Sequence, residues 1–278
     1  MRSKLFVPCS RPELFAKALG GEADALSFDL EDAVAGKDKA AARVRLVEWL
    51  HSDAAASSAK RLIVRINAPD TPFFADDLLA LAGVRVDLIN LPKAESPDIV
   101  RTVAARMEEI GIAAGLLVNI ETARGISSAA AIAGAHPRVM GLQAGLNDLF
   151  APLGIDRRDA RHVHAALWSI RLAAGEASLP AYDGAWPDLA DDDGFRAEAG
   201  LARSMGLLGK SCIHPRQVVM ANQIFDRSDD VSRARRLLAA AAEAEAGGQG
   251  AFLFEGVMAD APAIAAARET LRRAGEAA

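Results

Sequence analysis

The feature that most constrains the fold of this chain is a regular alternation of short apolar runs with segments of helical periodicity. The runs with β-strand character lie at 4–7, 25–29, 61–66, 86–91, 115–120, 139–144, 179–182 and 209–213. Most of them lack the polar–apolar alternation of a half-exposed strand, which is typical of parallel strands covered by helices. The segments between them space apolar residues three and four positions apart, as amphipathic helices do. The pattern predicts an α/β fold built on a parallel sheet.

The number of repeating units favours a closed barrel. Eight β/α units predict a TIM (β/α)8 barrel over residues 1–228. A doubly wound open sheet is the alternative, because periodicity does not distinguish an open from a closed sheet. Residues 229–278 follow the eighth unit as an Ala-rich helix, a glycine-rich break at 247–250 and a second helix. We expect this C-terminal helical arm to pack on a neighbouring subunit or to cover the site.

Composition excludes several classes of function. The chain of 278 residues is 51% hydrophobic and carries a net charge of −5 without a basic stripe, which argues against nucleic acid as a partner. No stretch approaches the length of a membrane span, and no signal peptide is evident. The two cysteines, Cys9 and Cys212, form neither a disulfide framework nor a zinc pattern. We therefore expect a cytoplasmic protein with reduced thiols and no membrane partner.

Two carboxylates follow consecutive predicted strands. Glu121 comes directly after the run 115–120, and Asp148 comes shortly after the run 139–144. In a barrel of parallel strands, the carboxyl ends of the strands meet at one rim, where the active site lies. Two carboxylates there can bind one Mg²⁺, which prefers hard oxygen ligands and keeps several waters that a substrate can displace. The sequence therefore predicts a magnesium site made of Glu121 and Asp148.

Charged residues at the ends of the second and third strands extend the predicted site. Arg65 can bind a substrate carboxylate through two parallel hydrogen bonds and stabilise an enolate as it forms. Alternatively, Arg65 neutralises the acidic residues that end the second strand. Among these, Asp29 and Asp32 can orient waters on the metal, or they can pair with cations at the same rim. The sequence leaves both interpretations of each residue open.

The first predicted helix and the last strand bring further polar residues toward the same rim. Arg11 and Lys17 lie around the start of the first helix, whose positive dipole end suits a phosphate group. The alternative is that they are two solvated surface charges. His214 follows the eighth strand, where it can contact a ligand or form a hydrogen bond to a loop.

An ordered set of motifs runs along nearly the whole chain. The motifs are RSKLFVP at 2–8, DLEDAV at 29–34, VRIN at 64–67, LPKAES at 91–96, IETARG at 120–125, GLNDL at 145–149, CIHP at 212–215 and MADAP at 258–262. In this order they resemble the citrate lyase β-subunit-like enzymes, part of the wider aldolase/citrate lyase group of CoA-thioester lyases. Each motif is weak alone, and the set is specific for the family but not for one substrate.

The resemblance implies a TIM barrel with Mg²⁺ on the carboxylate pair and the carboxylate of an oxo acid on Arg65. It implies that Phe6, Arg11 and Lys17 contact the adenine and phosphates of coenzyme A. It also implies that Asp260 acts as an acid or base, often reaching the site from the adjacent subunit of a trimer. A homotrimer or hexamer is therefore the expected assembly.

The activity implied by the resemblance is reversible cleavage of a 3-hydroxyacyl-CoA such as malyl-CoA or citramalyl-CoA. The products are acetyl-CoA and a 2-oxo acid, glyoxylate or pyruvate. One alternative is a citrate lyase β subunit acting on a citryl thioester held by a carrier protein, and another is a CoA-free, metal-dependent pyruvate aldolase. Two residues depart from the family pattern, because Cys9 replaces a frequent glycine and Ala144 replaces a frequent phenylalanine.

Overall fold

Eight parallel strands form a nearly closed barrel in the computed structural model, which describes residues 1–276. The strands are β1 (Ser3–Pro8), β2 (Ala25–Asp29), β3 (Arg61–Arg65), β4 (Leu88–Leu91), β5 (Gly115–Ile120), β6 (Val139–Ala144), β7 (Ala181–Tyr182) and β8 (Lys210–Cys212). Their order around the sheet is β7-β6-β5-β4-β3-β2-β1-β8. The predicted TIM-type barrel is confirmed, and the alternative of a doubly wound sheet is wrong.

The barrel closes through the short strands β7 and β8. A parallel bridge joins Asp183 to Lys210, and the Asp183 N–H donates a hydrogen bond of 2.8 Å to the carbonyl of Gly209. Gly209 packs directly on the backbone that leads into β1, where a Cβ atom would overlap the carbonyl oxygens of Met1 and Arg2. A glycine is therefore required where the closing strand approaches the first one.

Helices surround the strands of the first compact unit, Met1–Phe225. They are α1 (Glu13–Leu19), α2 (Lys39–Leu50), α3 (Asp53–Ala56), α4 (Phe74–Ala80), α5 (Pro97–Glu109), α6 (Ala123–Ala133), α7 (Leu146–Phe150), α8 (Ala160–Glu176), α9 (Asp192–Ser204) and α10 (Pro215–Ile224). Side-chain caps begin several of them, as where the Ser96 hydroxyl accepts a hydrogen bond from the Ile99 N–H. The single-turn helices α3 and α7 were not predicted, because so few residues show no periodicity.

The interior of the barrel changes from apolar to polar along the strands. A small apolar cluster fills one level with Ala25, Ile63, Leu88, Leu117 and Tyr182. Side chains two positions further along a strand point to the same face. The residues two positions after Ile63, Leu88 and Leu117 are Arg65, Asn90 and Asn119. The apolar level therefore lies below a polar level, which reaches the carboxyl ends of the strands.

A second compact unit begins at Asp226. It contains α11 (Ser228–Ala246), a hairpin of β9 (Phe252–Phe254) and β10 (Val257–Ala259), and α12 (Ala261–Arg273). Its own small core includes Leu237 and Leu271. The hairpin was not predicted, since each of its strands has three residues. Its two-residue turn, Glu255 and Gly256, has positive φ at both positions (49° and 82°), as the twist of a tight hairpin requires.

None of the helices within residues 1–276 is both long enough and apolar enough to cross a membrane.

Candidate active site

A cavity of about 460 Å³ opens at the carboxyl ends of the barrel strands. The predicted site residues in its lining are Phe6, Asp29, Asp32, Arg65, Glu121 and Asp148. They come from five different strands or the loops that follow them, and they converge because parallel strands of a barrel end at one rim. The structure therefore brings together the predicted carboxylate pair, the arginine and the two aspartates.

Glu121 is held rigidly at the end of β5. Only 2% of this residue is exposed. Its Oε1 accepts a hydrogen bond of 2.8 Å from the backbone N–H of Lys93, and its Oε2 accepts one of 3.1 Å from the side-chain amide of Asn119. Gly145 packs against the carboxylate so closely that a Cβ atom there would overlap it. These contacts fix the direction in which the carboxylate points.

Asp148 lies in the first turn of α7 and is exposed to solvent at the cavity. Burial raises the pKa of Glu121 to about 7, and the charges of Glu31 and Asp148 add to the increase. Burial and the charge of Asp32 likewise raise the pKa of Asp148. Carboxylates crowded in this way favour a bound cation, because a cation compensates their repulsion.

The donor set fits Mg²⁺ rather than a metal enclosed by protein ligands. Within residues 1–276, no group of three or more His, Cys, Asp or Glu side chains is arranged to hold a metal ion. Mg²⁺ needs only one or two carboxylates, because waters and substrate oxygens complete its octahedral shell. Glu121 and Asp148 at an open cavity meet this requirement.

Arg65 ends β3 and is surrounded by acidic residues. Its Nε and Nη2 donate hydrogen bonds of 2.8 Å and 2.6 Å to the two carboxylate oxygens of Asp29. Its Nη1 lies 2.8 Å from Glu31 Oε2 and 3.2 Å from Asp32 Oδ2. The guanidinium carbon lies 4.9 Å from the centre of the Phe6 ring. The structure thus contains the ion pairs that the sequence allowed, and it keeps the guanidinium in the wall of the cavity.

Glu31 and Lys93 join this network, although they were predicted only to lie at the rim and not to have a catalytic or metal-binding role. Glu31 Oε1 accepts a hydrogen bond of 2.9 Å from Lys93 Nζ. Lys93 has a left-handed backbone with φ of 51°, which costs a residue other than glycine roughly 1 kcal/mol. This conformation accompanies the hydrogen bond from its N–H to Glu121. The sequence feature that could have identified Lys93 as a site residue is its position two residues after β4.

A second cavity of about 460 Å³ is lined by residues of β1, α1 and the start of α10. Its lining includes Phe6, Arg11, Lys17 and His214. Phe6 also lines the first cavity, so the two cavities share a wall at β1. The three residues that the resemblance assigned to coenzyme A therefore lie together, next to the carboxylates and Arg65.

The position of Lys17 within the first helix departs from the prediction. Helix α1 has only seven residues and begins at Glu13, so Lys17 lies in its last turn. The prediction that Lys17 lies near the positive end of the helix dipole is wrong. Arg11 precedes the helix, and its Nε donates a hydrogen bond of 3.0 Å to Glu13. Both cations are exposed.

His214 begins α10 as its N-cap. Its Nδ1 accepts a hydrogen bond of 3.1 Å from the backbone N–H of Arg216. His214 thus has a structural hydrogen bond, as one of the two interpretations expected, but the donor belongs to the first turn of α10 and not to a loop. The ring nevertheless lines the second cavity.

Asp260 belongs to the second compact unit, where it is the N-cap of α12. Its Oδ1 accepts a hydrogen bond of 3.3 Å from the Ala263 N–H. A role of this carboxylate as acid or base stays a prediction.

The family model described as HpcH/HpaI aldolase/citrate lyase matches residues 2–215, which include the whole barrel rim described above. The chain belongs to this family. The predicted resemblance is therefore confirmed, and the family fold agrees with the observed barrel.

Similar proteins of the family cover almost the whole chain. A (3S)-malyl-CoA thioesterase of Cereibacter sphaeroides is 40% identical over 276 residues, which is 98% of this chain and 94% of the relative. An L-malyl-CoA/beta-methylmalyl-CoA lyase of the same organism is 36% identical over 301 residues, with the same coverage. The solved structure of protein CitE from Mycobacterium tuberculosis with magnesium, acetoacetate and coenzyme A is 38% identical, with a TM-score of 0.76, and the match covers 99% of this chain and 100% of that one. The predicted class, a CoA-thioester lyase of this family with Mg²⁺, is confirmed by these relatives.

This member of the family lines its cavity with two amides that the sequence reasoning missed. Asn119 and Gln143 are neighbours on β5 and β6, and both are almost completely buried. Asn119 holds Glu121, whereas Gln143 Oε1 has no hydrogen-bond partner among the residues that the structure describes. The available signal was that Asn119 lies two residues before Glu121 on the same strand face.

Proposed function

We propose that the chain is a Mg²⁺-dependent carbon–carbon lyase that cleaves or forms a 3-hydroxyacyl-CoA, with malyl-CoA and citramalyl-CoA as the first candidates. The products of cleavage are acetyl-CoA and glyoxylate or pyruvate. The observation that carries this proposal is the convergence of Glu121, Asp148 and Arg65 on one cavity. A binding protein without catalysis has no need to bring a carboxylate pair and an arginine together at one cavity.

Each group of the cavity has a role in this reaction. Mg²⁺ held by Glu121 and Asp148 would polarise the carboxylate and hydroxyl oxygens of the substrate. Arg65 binds the substrate carboxylate and stabilises the negative charge that develops as the carbon–carbon bond breaks. Asp29 keeps the guanidinium in position through two hydrogen bonds. Asp32, exposed at the rim, orients waters at the metal site.

After the carbon–carbon bond breaks, an acid must protonate the carbon of the enolate to give acetyl-CoA. Before that, a general base must take the proton of the substrate hydroxyl. We assign this role to Asp260, as the resemblance suggests, acting from the same chain or from an adjacent subunit of a homotrimer or hexamer. The two free cysteines agree with a cytoplasmic location, which is part of the proposal.

The second cavity is proposed to bind coenzyme A. Its lining is largely apolar, and Arg11 and Lys17 place two cations at an exposed edge. An apolar cavity with a few polar groups suits an adenine, and exposed cations suit phosphates. Phe6 lies between this cavity and the carboxylates, so a thioester could reach from one cavity into the other.

Hydrolysis of the thioester is a second candidate function. The observation that favours it is the 40% identity with the (3S)-malyl-CoA thioesterase of Cereibacter sphaeroides. The same carboxylate pair could serve either reaction, because both begin with a metal-bound hydroxyacyl thioester. The products differ, since hydrolysis releases free CoA and a hydroxy acid.

The deciding experiment supplies malyl-CoA and citramalyl-CoA to the purified protein with Mg²⁺ and, separately, with a chelator. Mass spectrometry then identifies the products. Metal-dependent acetyl-CoA with a 2-oxo acid supports the lyase and names its acyl group, whereas free CoA with a hydroxy acid supports the thioesterase. Neither product, in a protein that binds Mg²⁺, would favour a carrier-bound citryl thioester or a CoA-free pyruvate aldolase reaction.

A further inference from the structure

A lysine lies inside the barrel, next to the candidate active site but outside its cavity lining. Lys4 on β1 is 1% exposed, and no ion pair among residues 1–276 includes it. Its Nζ lies 4.3 Å from the centre of the Phe6 ring and donates a hydrogen bond of 3.2 Å to Asn90 Oδ1. Burial and the charge of Arg65 lower the pKa of Lys4 well below its usual value. The charges of Asp29 and Glu121 offset this decrease only in part. A buried lysine that donates no hydrogen bond to a carboxylate destabilises a fold, so its presence needs an explanation.

Two amides connect Lys4 to Glu121. Asn90 Nδ2 donates hydrogen bonds of 3.0 Å to the Leu117 carbonyl and 2.6 Å to Asn119 Oδ1. Asn119 Nδ2 then donates the hydrogen bond of 3.1 Å to Glu121 Oε2. We call this chain of Lys4, Asn90 and Asn119 the amide relay. Every hydrogen bond in the relay runs in the same direction, from the amine toward the carboxylate.

The direction of the relay matters because an amide has a donor end and an acceptor end. Both hydrogens of Asn90 Nδ2 are used by Leu117 and Asn119, so Asn90 Oδ1 needs an external donor. Lys4 is that donor, and its amine carries N–H groups in either protonation state. If Asn119 were turned over, its Oδ1 would face the Glu121 carboxylate, and two acceptors would oppose each other in a buried site.

We propose that Lys4 is a positioning residue for Glu121, which it orients for metal binding through the amides of Asn90 and Asn119. This inference rests on the proposed function, because Glu121 is a metal ligand only in that proposal. Lys4 acts through other residues, since the cavity lining does not include it. Partners that orient a metal ligand from behind commonly change metal affinity by about 10- to 100-fold.

The test is calorimetric titration of the metal-free, full-length protein with MgCl₂, which needs no substrate. Lys4→Met keeps most of the side-chain length but removes the donor, and we expect the Kd for Mg²⁺ to rise about tenfold. Asn119→Ala should weaken binding at least as much. The double variant should bind no more weakly than Asn119→Ala alone, because residues that act in one chain are not additive.

The matched control is Ile63→Val, which removes a methyl group from the apolar level of the same barrel interior. It should lower the unfolding temperature without changing the Kd, which separates loss of the relay from general loosening of the barrel. If Lys4→Met does not fold, Asn90→Ala interrupts the same relay at its middle. An unchanged Kd in Asn90→Ala would show that the amide relay does not connect Lys4 to Glu121, which would contradict the proposal.

Two results would overturn the role of Lys4. One is a Kd within twofold of wild type in folded Lys4→Met. The other is a further loss of affinity when Lys4→Met is added to Asn119→Ala. Failure of the wild-type protein to bind Mg²⁺ would instead overturn the metal site itself, so the two failures are distinguishable.

Discussion

Arg65 and Asp29 form a two-fold hydrogen-bonded ion pair, with Nε and Nη2 donating to the two carboxylate oxygens at 2.8 Å and 2.6 Å. Asp29 in turn accepts hydrogen bonds from the backbone N–H groups of Glu31 and Ala33. The guanidinium is therefore anchored to the loop after β2, and its plane cannot turn without breaking several contacts. A lysine cannot reproduce this arrangement, because an ammonium group lacks the planar fork.

Replacing Arg65 with lysine keeps the positive charge but should remove most of the activity. We expect Arg65→Lys to lower kcat/KM for thioester cleavage by about 100-fold or more, since a donor to developing charge is lost. Steady-state kinetics with malyl-CoA measures this effect. Arg43→Lys is the matched control, because Arg43 is equally buried and pairs with Asp77 outside the cavity. An equal loss of activity in Arg43→Lys would mean that the barrel, and not the substrate contact, accounts for the Arg65 result.

If Glu121 and Asp148 bind Mg²⁺, the ion should stabilise the folded protein. A ligand at 100 times its Kd stabilises the native state by about 2.7 kcal/mol, so Mg²⁺ should raise the unfolding temperature of the wild-type protein. Glu121→Gln should abolish this increase, because a neutral amide is a poor Mg²⁺ ligand. Differential scanning fluorimetry with and without Mg²⁺ measures it. The control is Glu109→Gln on the exposed surface of α5, where the increase should persist.

The exposed cations of the second cavity should affect binding of the CoA ester more than catalysis. Lys17→Glu and Arg11→Glu place a negative charge near the proposed phosphates, so KM should rise roughly tenfold, which corresponds to about 1.4 kcal/mol, while kcat stays close to wild type. Arg101→Glu makes the same charge change on exposed α5 and should leave KM unchanged. Equal effects of all three variants would indicate a change in overall charge and not a local phosphate site.

The two thiols should be unreactive in the native state. Burial raises the pKa of Cys212 to about 12, and burial with the charge of Asp29 raises that of Cys9. At about pH 8 the native protein should therefore resist a thiol reagent, and both thiols should react after denaturation. Rapid labelling of either cysteine in the folded protein would contradict this.

The same shifts predict how stability depends on pH. Unfolded thiols lose their protons from about pH 8.5, while the folded thiols retain them to higher pH. The unfolded state then binds fewer protons, so the contribution of the thiols to stability declines as pH rises above that value. The free energy of unfolding of Cys212→Ala, measured with urea, should therefore decline less steeply with rising pH than that of the wild-type protein.

A buried ion cluster at the closing strands should dominate the stability of the barrel. Lys210 Nζ donates hydrogen bonds to Asp183 Oδ2 at 2.5 Å and Glu198 Oε1 at 2.6 Å. Lys210→Met leaves the buried Asp183 carboxylate without an ion-pair partner, whereas Glu198 keeps Arg157, and we expect the free energy of unfolding measured with urea to fall by about 3–5 kcal/mol. Arg272→Ala, which removes an exposed ion pair of α12, should leave the urea midpoint almost unchanged. A small effect of Lys210→Met would show that the cluster is dispensable for closure.

The strands were predictable where their apolar runs are long, and less so where the barrel closes. Strands β2, β5 and β6 have the predicted bounds, because a predominantly apolar run without regular alternation marks a buried parallel strand. Strands β7 and β8 have two and three residues, fewer than the predicted ranges. Their extent depends on pairing with strands distant in sequence, and on the bridge from Asp183 to Lys210.

The location of the site residues at the barrel rim could be predicted from the sequence, but their contacts and roles could not. Glu121 and Arg65 could be placed because a residue that ends a parallel strand lies at the rim of the barrel. The sequence left open whether Arg65 meets substrate or acids, and the structure shows three acids around it. Lys17 was misplaced, because helix α1 begins two residues after Arg11 and ends after only seven residues.

By itself, the sequence determined the succession of eight β/α units, the family and most of the polar side chains at the strand ends, because strand periodicity and motif order are local properties. Only the tertiary structure decided which of these side chains meet. Arg65 and Asp29 are 36 positions apart, Lys93 and Glu121 are 28 apart, and Lys4 and Asn90 are 86 apart. Residues so far apart in the sequence come into contact only through the register of the strands and the closure of the barrel, because the chain between them does not fix their distance.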